Sequence, residues 1–222
     1  MGYQDWTNRL LDTMIASDRS AAAEIISQAL ASGIAPMLVI SEILDPALVL
    51  LGRRWEQETL SLAQGFVAAK IAEDAMLHCI PGQTELYPNK GAVVIGNIED
   101  DFHSLGRRAV SLFLSAAGWE VHDLGNDVPA EQFIDKALEV NASVIGASAM
   151  MQTTALNIRR LRELIDSRGL QNRLKLAVGG AVFNWRPELV AEVGGDGTAR
   201  NAVGADELFM RLQSDATTGA TP

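Results

Sequence analysis

Residues 92–106 read AVVIGNIEDDFHSLG, and the reading of this stretch decides the fold. From Ala92 to Ile98 it is a short apolar run carrying β-branched residues, bounded by polar positions and without alternation. Such a run predicts a strand covered on both faces of a sheet. The loop that follows is acidic, and from Ser104 the apolar spacing turns helical. A buried strand, a polar loop and a helix open a parallel βα unit.

The rhythm repeats downstream. Ser104–Ala117 and Ala130–Val140 read as helices, and Trp119–Leu124, Ser143–Ser148, Leu174–Val178 and a short Asp196–Ala199 as further strands. Five near-continuous apolar strands alternating with helices predict an α/β domain over residues 91–214: a doubly wound, flavodoxin-like parallel sheet. The tail 215–222 (DATTGATP) lacks large apolar residues and is expected to be disordered.

Upstream the pattern is different. Residues 1–80 read as an antiparallel helical bundle. Leu10, Leu11, Met14 and Ile15 form a one-sided stripe. Ser17 or Asp18 can cap a second helix carrying Ile25, Ile26 and Leu30, which Gly33 would stop. Pro36 suits the first turn of a third helix, and Pro46 should kink or interrupt it. A fourth run, Ser61–Cys79, is rich in helix formers. Residues 81–90, with two prolines and a glycine, read as a linker.

Composition narrows the function. The chain has 222 residues, 48% of them hydrophobic, which supplies a sizeable core. Lys plus Arg number 18 against 28 Asp plus Glu, a formal net charge of -10, which disfavours nucleic acid and anionic membranes as partners. One cysteine excludes a disulfide framework and a multi-cysteine metal site. With no signal-peptide pattern and no long apolar run, a cytoplasmic setting is expected.

In an open parallel sheet, ligands bind beyond the carboxyl ends of the strands. The loop after the first strand holds Asp101-x-His103-x-x-Gly106. His103 can serve as a metal ligand or general base, and Asp101 can accept from its other ring nitrogen and fix the tautomer. Gly106 allows a bulky group to approach the start of the helix. His78 and His122 fall elsewhere, so only one good ligand is in view. A single imidazole does not build a zinc or iron site, but it can be the axial ligand of a metal already held by a macrocycle. Gly179 and Gly180, after the fourth strand, give either a tight turn or a surface where backbone meets such a group. Cys79 reads as a small buried hydrophobe.

Asp101-x-His103-x-x-Gly106, Ser148-x-Met150 and Gly179-Gly180 together resemble the three-part cobalamin-binding signature, with Met150 where the family usually has leucine. The helical half is similar to the cap that precedes this module in methionine synthase and in corrinoid proteins of methyltransferase systems. The resemblance covers about residues 5–212. It implies that His103 displaces the cofactor's benzimidazole and ligates cobalt from below, base-off and His-on. It implies that Asp101 hydrogen-bonds His103 and that Thr154 completes the relay. Ser148 would meet the displaced nucleotide tail, in a slot beside Gly106, Gly179 and Gly180, closed by the loop from Gly197. Asn201-Ala202 replaces the family's Asp-Ala pair at that end. Trp55 and Leu62 would cover the upper cobalt face.

The implied cofactor is cobalamin, cycling between Co(I) and methylcobalamin. The implied function is that of a methyl-carrier subunit rather than a complete enzyme. Its partners would be a substrate-specific methyltransferase, an acceptor methyltransferase and a reductive activase. The alternative is a cobalamin-dependent light or ligand sensor, for which Trp55 speaks and against which the lack of a DNA-binding segment speaks. A phospho-receiver is disfavoured because Ser148 stands where its acceptor aspartate would be.

Overall fold

The computed structural model describes residues 2–57, 59–79 and 90–218; the side chains of Trp55, Glu56 and Leu62 and most of the expected linker lie outside the described residues. The chain divides into two compact units between residues 84 and 85.

The N-terminal unit is helical: α1 (Tyr3–Ile15), α2 (Arg19–Ala31), α3 (Pro36–Val39), α4 (Asp45–Glu56) and α5 (Leu62–Cys79). Asp18 is the cap of α2, accepting from the Ala21 N–H at 2.9 Å. Gly33 follows the end of α2 with φ +92°, a backbone that favours glycine, so the predicted stop stands. Pro36 opens α3.

The predicted interruption at Pro46 takes a specific form. Between α3 and α4 the chain makes a π-helical turn, Ile40–Leu44. Pro46 has no N–H to give to the carbonyl of Glu42, four residues back. The hydroxyl of Thr7, buried on α1, lies 3.2 Å from that carbonyl and 3.0 Å from the Tyr3 carbonyl, and the two share its one proton. α1 packs on α2, α4 and α5, burying Leu10, Met14, Ile26, Ile43 and Ile71. Burial pushes the Cys79 thiol up to about 11, the behaviour of an inert buried side chain.

The C-terminal unit carries five parallel strands: β1 (Ala92–Asn97), β2 (Glu120–Asp123), β3 (Val144–Ser148), β4 (Lys175–Gly179) and β5 (Gly197–Thr198), in the order β2-β1-β3-β4-β5. Its helices are α6 (Ser104–Ala116), α7 (Ala130–Glu139), α8 (Gln152–Ala155), α9 (Ile158–Ser167), α10 (Ala181–Trp185), α11 (Leu189–Glu192) and α12 (Ala205–Thr218). Alternate strand residues serve the two faces. Val94, Ile145, Leu176 and Val178 pack with Phe133 and Ile134 of α7 and Leu161 and Ile165 of α9. Val93, Ile95, Val144 and Ala177 pack with Leu114 of α6 and Leu208, Phe209 and Leu212 of α12. The doubly wound, flavodoxin-like order of the sequence reading is the order found.

Most elements are a residue shorter at one or both ends than expected, and two run past their expected ends. β4 runs one residue further, because Gly179 pairs in register with Ser148. The tail is helical as far as Thr218, because Ala216 lies four residues beyond Leu212 and joins the buried stripe of α12. Among the described residues no helix is long and apolar enough to cross a membrane.

Candidate functional site

The chain goes from β1 to β2 on one side and to β3 on the other, so the strand order reverses between β1 and β3. Their carboxyl ends form a row: Asn97 pairs with Ser148, and Ser148 with Gly179. The loops leaving this row carry the predicted site residues. A crevice at such a switch point is where open α/β sheets take ligands.

Asp101 is the hub. It is fully buried, and four donors converge on it. Oδ1 accepts from Asn97 Nδ2 at 2.7 Å and from the His103 backbone N–H at 3.0 Å. Oδ2 accepts from the Met150 backbone N–H at 2.7 Å and from the Thr154 hydroxyl at 2.8 Å. Burial, the largest single influence, pushes the Asp101 pKa up. The hydrogen bonds from Met150, His103, Asn97 and Thr154 together outweigh it and hold the carboxyl below the usual value of 3.8. The group is therefore a buried, fully coordinated carboxylate at neutral pH.

His103 stands at the mouth of this hub. Its ring Nδ1 lies 3.4 Å from Asp101 Oδ1, and its side chain is 51% exposed. Three large apolar side chains near it in sequence or through the hub also face outward: Phe102, Met150 and Met151. An exposed imidazole rimmed by exposed apolar groups suits a flat, largely apolar ligand.

The glycines sort into two kinds. A Cβ built on Gly106 or Gly179 would meet no atom within 4 Å. Nothing in the described protein demands glycine there. Gly180 is different: it has φ +115°, and a Cβ would lie 1.9 Å from the Ala149 carbonyl oxygen. Gly197 is also held by packing, against Arg211 and Leu208. Two hydroxyls at strand ends are unpaired. Thr198 Oγ1, ending β5, is buried without a partner, and Ser148 Oγ makes no hydrogen bond among the described residues.

The other histidines stand apart, His122 beside Glu120 on β2 at 2.9 Å and His78 beside Ser27 at 3.2 Å. Among the described residues no three His, Cys, Asp or Glu side chains gather as a metal site. The structure brings Asp101, His103, Met150 and Thr154 into one web, with Ser148 and Gly179 alongside. It ties in Met150 by its backbone N–H, whatever its side chain. The expected lid residues Trp55 and Leu62 have side chains outside the described residues.

Sequence reading missed four polar residues behind the hub. Asn97 is fully buried and also donates to the His103 carbonyl at 3.1 Å. Arg107, buried on α6, donates from Nε to Asn97 Oδ1 at 2.8 Å, pairs through Nη1 with Asp123, and reaches Asn126 Oδ1 at 3.2 Å. The one available signal was Asn97, a polar residue inside an apolar run.

A family model described as a B12 binding domain matches residues 91–205, and a second of the same description matches residues 6–80. Trimethylamine corrinoid protein 1 of Methanosarcina mazei is 34% identical over 83% of this chain and 88% of its own. Dimethylamine corrinoid protein of Methanosarcina barkeri is 33% identical over 94% of this chain and 100% of its own. The solved structure of the Methanosarcina barkeri monomethylamine corrinoid protein superposes with a TM-score of 0.82, at 27% identity, over 95% of this chain and 100% of that one. The chain belongs to the B12-binding family of corrinoid proteins, with a corrinoid as its cofactor.

Proposed function

We propose that this chain carries a methyl group on its corrinoid between two methyltransferase partners, with His103 as the protein-side ligand of cobalt. The observation that carries the reading is the Asp101 hub. A buried carboxylate with four donors stands beside an exposed imidazole whose Nδ1 faces it. A proton placed on Nδ1, toward Asp101, would leave Nε2 as the ring nitrogen that ligates. The relatives are named as corrinoid proteins of trimethylamine and dimethylamine, so the methyl donor class proposed is a methylated amine.

The residues present fit the cofactor. A corrin already holds its metal in a ring of nitrogens, so the single imidazole of His103 would suffice as the protein's contribution. The open space at Gly106 and Gly179 accepts the displaced nucleotide tail, and Ser148 Oγ and Thr198 Oγ1 are unpaired hydroxyls available to its polar groups. Phe102, Met150 and Met151, all exposed, would offer the group apolar contact. When bound, the corrinoid supplies the cobalt nucleophile that accepts and releases the methyl group.

The protein's part is to hold that group, set its lower ligand and exclude water. The resemblance gives Trp55 and Leu62 the part of shielding the cobalt from water, a role that falls on side chains outside the described residues. The domain limits proposed remain residues 1–80 for the lid and 91–214 for the corrinoid module. The test is transfer of label. The reduced, cobalamin-loaded chain is incubated with carbon-14 trimethylamine or dimethylamine and a cognate amine methyltransferase. Label retained by the loaded chain, and absent in His103→Ala or without the methyltransferase, supports the reading; label transfer that ignores His103 overturns the ligand role, and no transfer from any methylated amine overturns the donor class.

A further inference from the structure

Behind the Asp101 hub lies a second layer with its own logic. Arg107 is buried on α6 and forks in three directions. Nε donates to Asn97 Oδ1 at 2.8 Å, Nη2 donates to Asn126 Oδ1 at 3.2 Å, and Nη1 pairs with Asp123 at the end of β2. Each asparagine passes the contact on. Asn97 Nδ2 donates to Asp101 Oδ1 at 2.7 Å and to the His103 carbonyl at 3.1 Å. Asn126 Nδ2 donates to the Phe102 carbonyl at 3.5 Å. The carbonyls of two successive loop residues, Phe102 and His103, are thus held by two amides whose oxygens both end on one guanidinium.

We propose that Arg107 is a positioning residue that sets the His103 loop through these two amides. The inference rests on His103 as the cobalt ligand and names what aims it. An amide turned the other way would put its oxygen against a carboxylate and a carbonyl. The guanidinium, a donor in every direction, stabilises only the working orientation of both asparagines. Asp123 neutralises the buried cation, and its second contact, from the Gly125 N–H at 2.9 Å, anchors it to its own loop. The clamp spans β1, β2 and the start of α6, so the imidazole is aimed by three elements rather than by its own loop. Asp100 sits at φ +68° in that loop, with its N–H on Asp127 Oδ1 at 2.8 Å. A loop held in an unfavourable backbone conformation needs such external support.

The test uses the full chain without cofactor, read by amide hydrogen exchange at His103 and Met150, the two backbone donors to Asp101. Arg107→Met is compared with Asp123→Asn, which removes the ion pair but leaves Nε on Asn97. A purely structural salt bridge makes the two variants alike. Positioning through Asn97 makes Arg107→Met lose about tenfold or more protection at His103 and Met150, and Asp123→Asn less than about threefold. Adding Arg107→Met to Asn97→Ala then costs those two amides little more than Asn97→Ala alone.

Equal losses in the two single variants, or unchanged protection at His103 and Met150 in folded Arg107→Met, overturn the proposal. If Arg107→Met does not fold, Arg107→Lys serves: it keeps a charge for Asp123 but cannot fork onto both amides, and retained protection at both positions overturns the proposal equally. A paramagnetic resonance spectrum of the loaded wild-type chain is taken alongside. Lack of a protein nitrogen on cobalt there overturns the ligand reading, while the exchange data decide the clamp.

Discussion

Gly106 offers the sharpest separation of folding from cofactor binding. It lies in the first turn of α6, and a Cβ there would meet no protein atom within 4 Å. Gly106→Ala should therefore stabilise the cofactor-free chain by about 0.5–1 kcal/mol, the usual gain of alanine over glycine in a helix. At about 4 °C per kcal/mol for a unit of this size, the melting temperature rises by roughly 2–4 °C. The same methyl group intrudes on the space assigned to the nucleotide tail. Overpacking of this kind costs about 1–3 kcal/mol, which weakens corrinoid binding about 5- to 150-fold. Gly180→Ala is the contrast. Its φ of +115° and the 1.9 Å approach to the Ala149 carbonyl predict a destabilised apo chain, by about 3 kcal/mol or more. The assays are calorimetric melting of the apo chains and titration with hydroxocobalamin after removal of free cofactor. A Gly106→Ala chain that is stabilised yet binds corrinoid as well as wild type would refute the placement of the tail. One that is destabilised would refute the open space.

Asp101 has a depressed pKa, so its contribution to stability is complete above the ordinary carboxylate value and is lost as pH falls below about 4. Acid unfolding of wild type should thus show a stability loss in that range that Asp101→Asn lacks, read by circular dichroism. Asp45 is the opposite case: burial pushes it up from 3.8 to about 6. Its protonated form is favoured in the fold, so the N-terminal unit should lose stability as pH rises through about 6, and Asp45→Asn should flatten that profile in melts from pH 4.5 to 8. Thr7→Val keeps the shape but strips the hydroxyl shared by the Tyr3 carbonyl and the Glu42 carbonyl opposite Pro46. It should cost about 1–2 kcal/mol, measured by urea unfolding; a neutral effect would mean another donor takes over that carbonyl.

The fold was legible because the inner strands β1, β3 and β4 are apolar on both faces, so Val93 and Val94 read alike although they serve opposite cores. The site was legible where chemistry and chain order coincide, as in Asp101-x-His103-x-x-Gly106. What stayed hidden depends on distance in sequence. Arg107 reads as an ordinary helix cation, and its partners Asp123 and Asn126 arrive from the end of β2 and the loop after it. Gly179 and Gly180 look alike in the sequence. Only their surroundings separate an open approach from a backbone that excludes any Cβ. The end of α12 was misread because DATT carries no large apolar residue, yet one small residue, Ala216, suffices to continue its buried stripe.

The most direct test of the account is the axial ligand itself. The chain is loaded with cobalamin carrying nitrogen-15 in its benzimidazole, reduced to Co(II), and its electron paramagnetic resonance spectrum is recorded. The account predicts a nitrogen splitting that ignores the label and disappears in His103→Ala. A splitting that follows the label, or one that survives in His103→Ala, would contradict it.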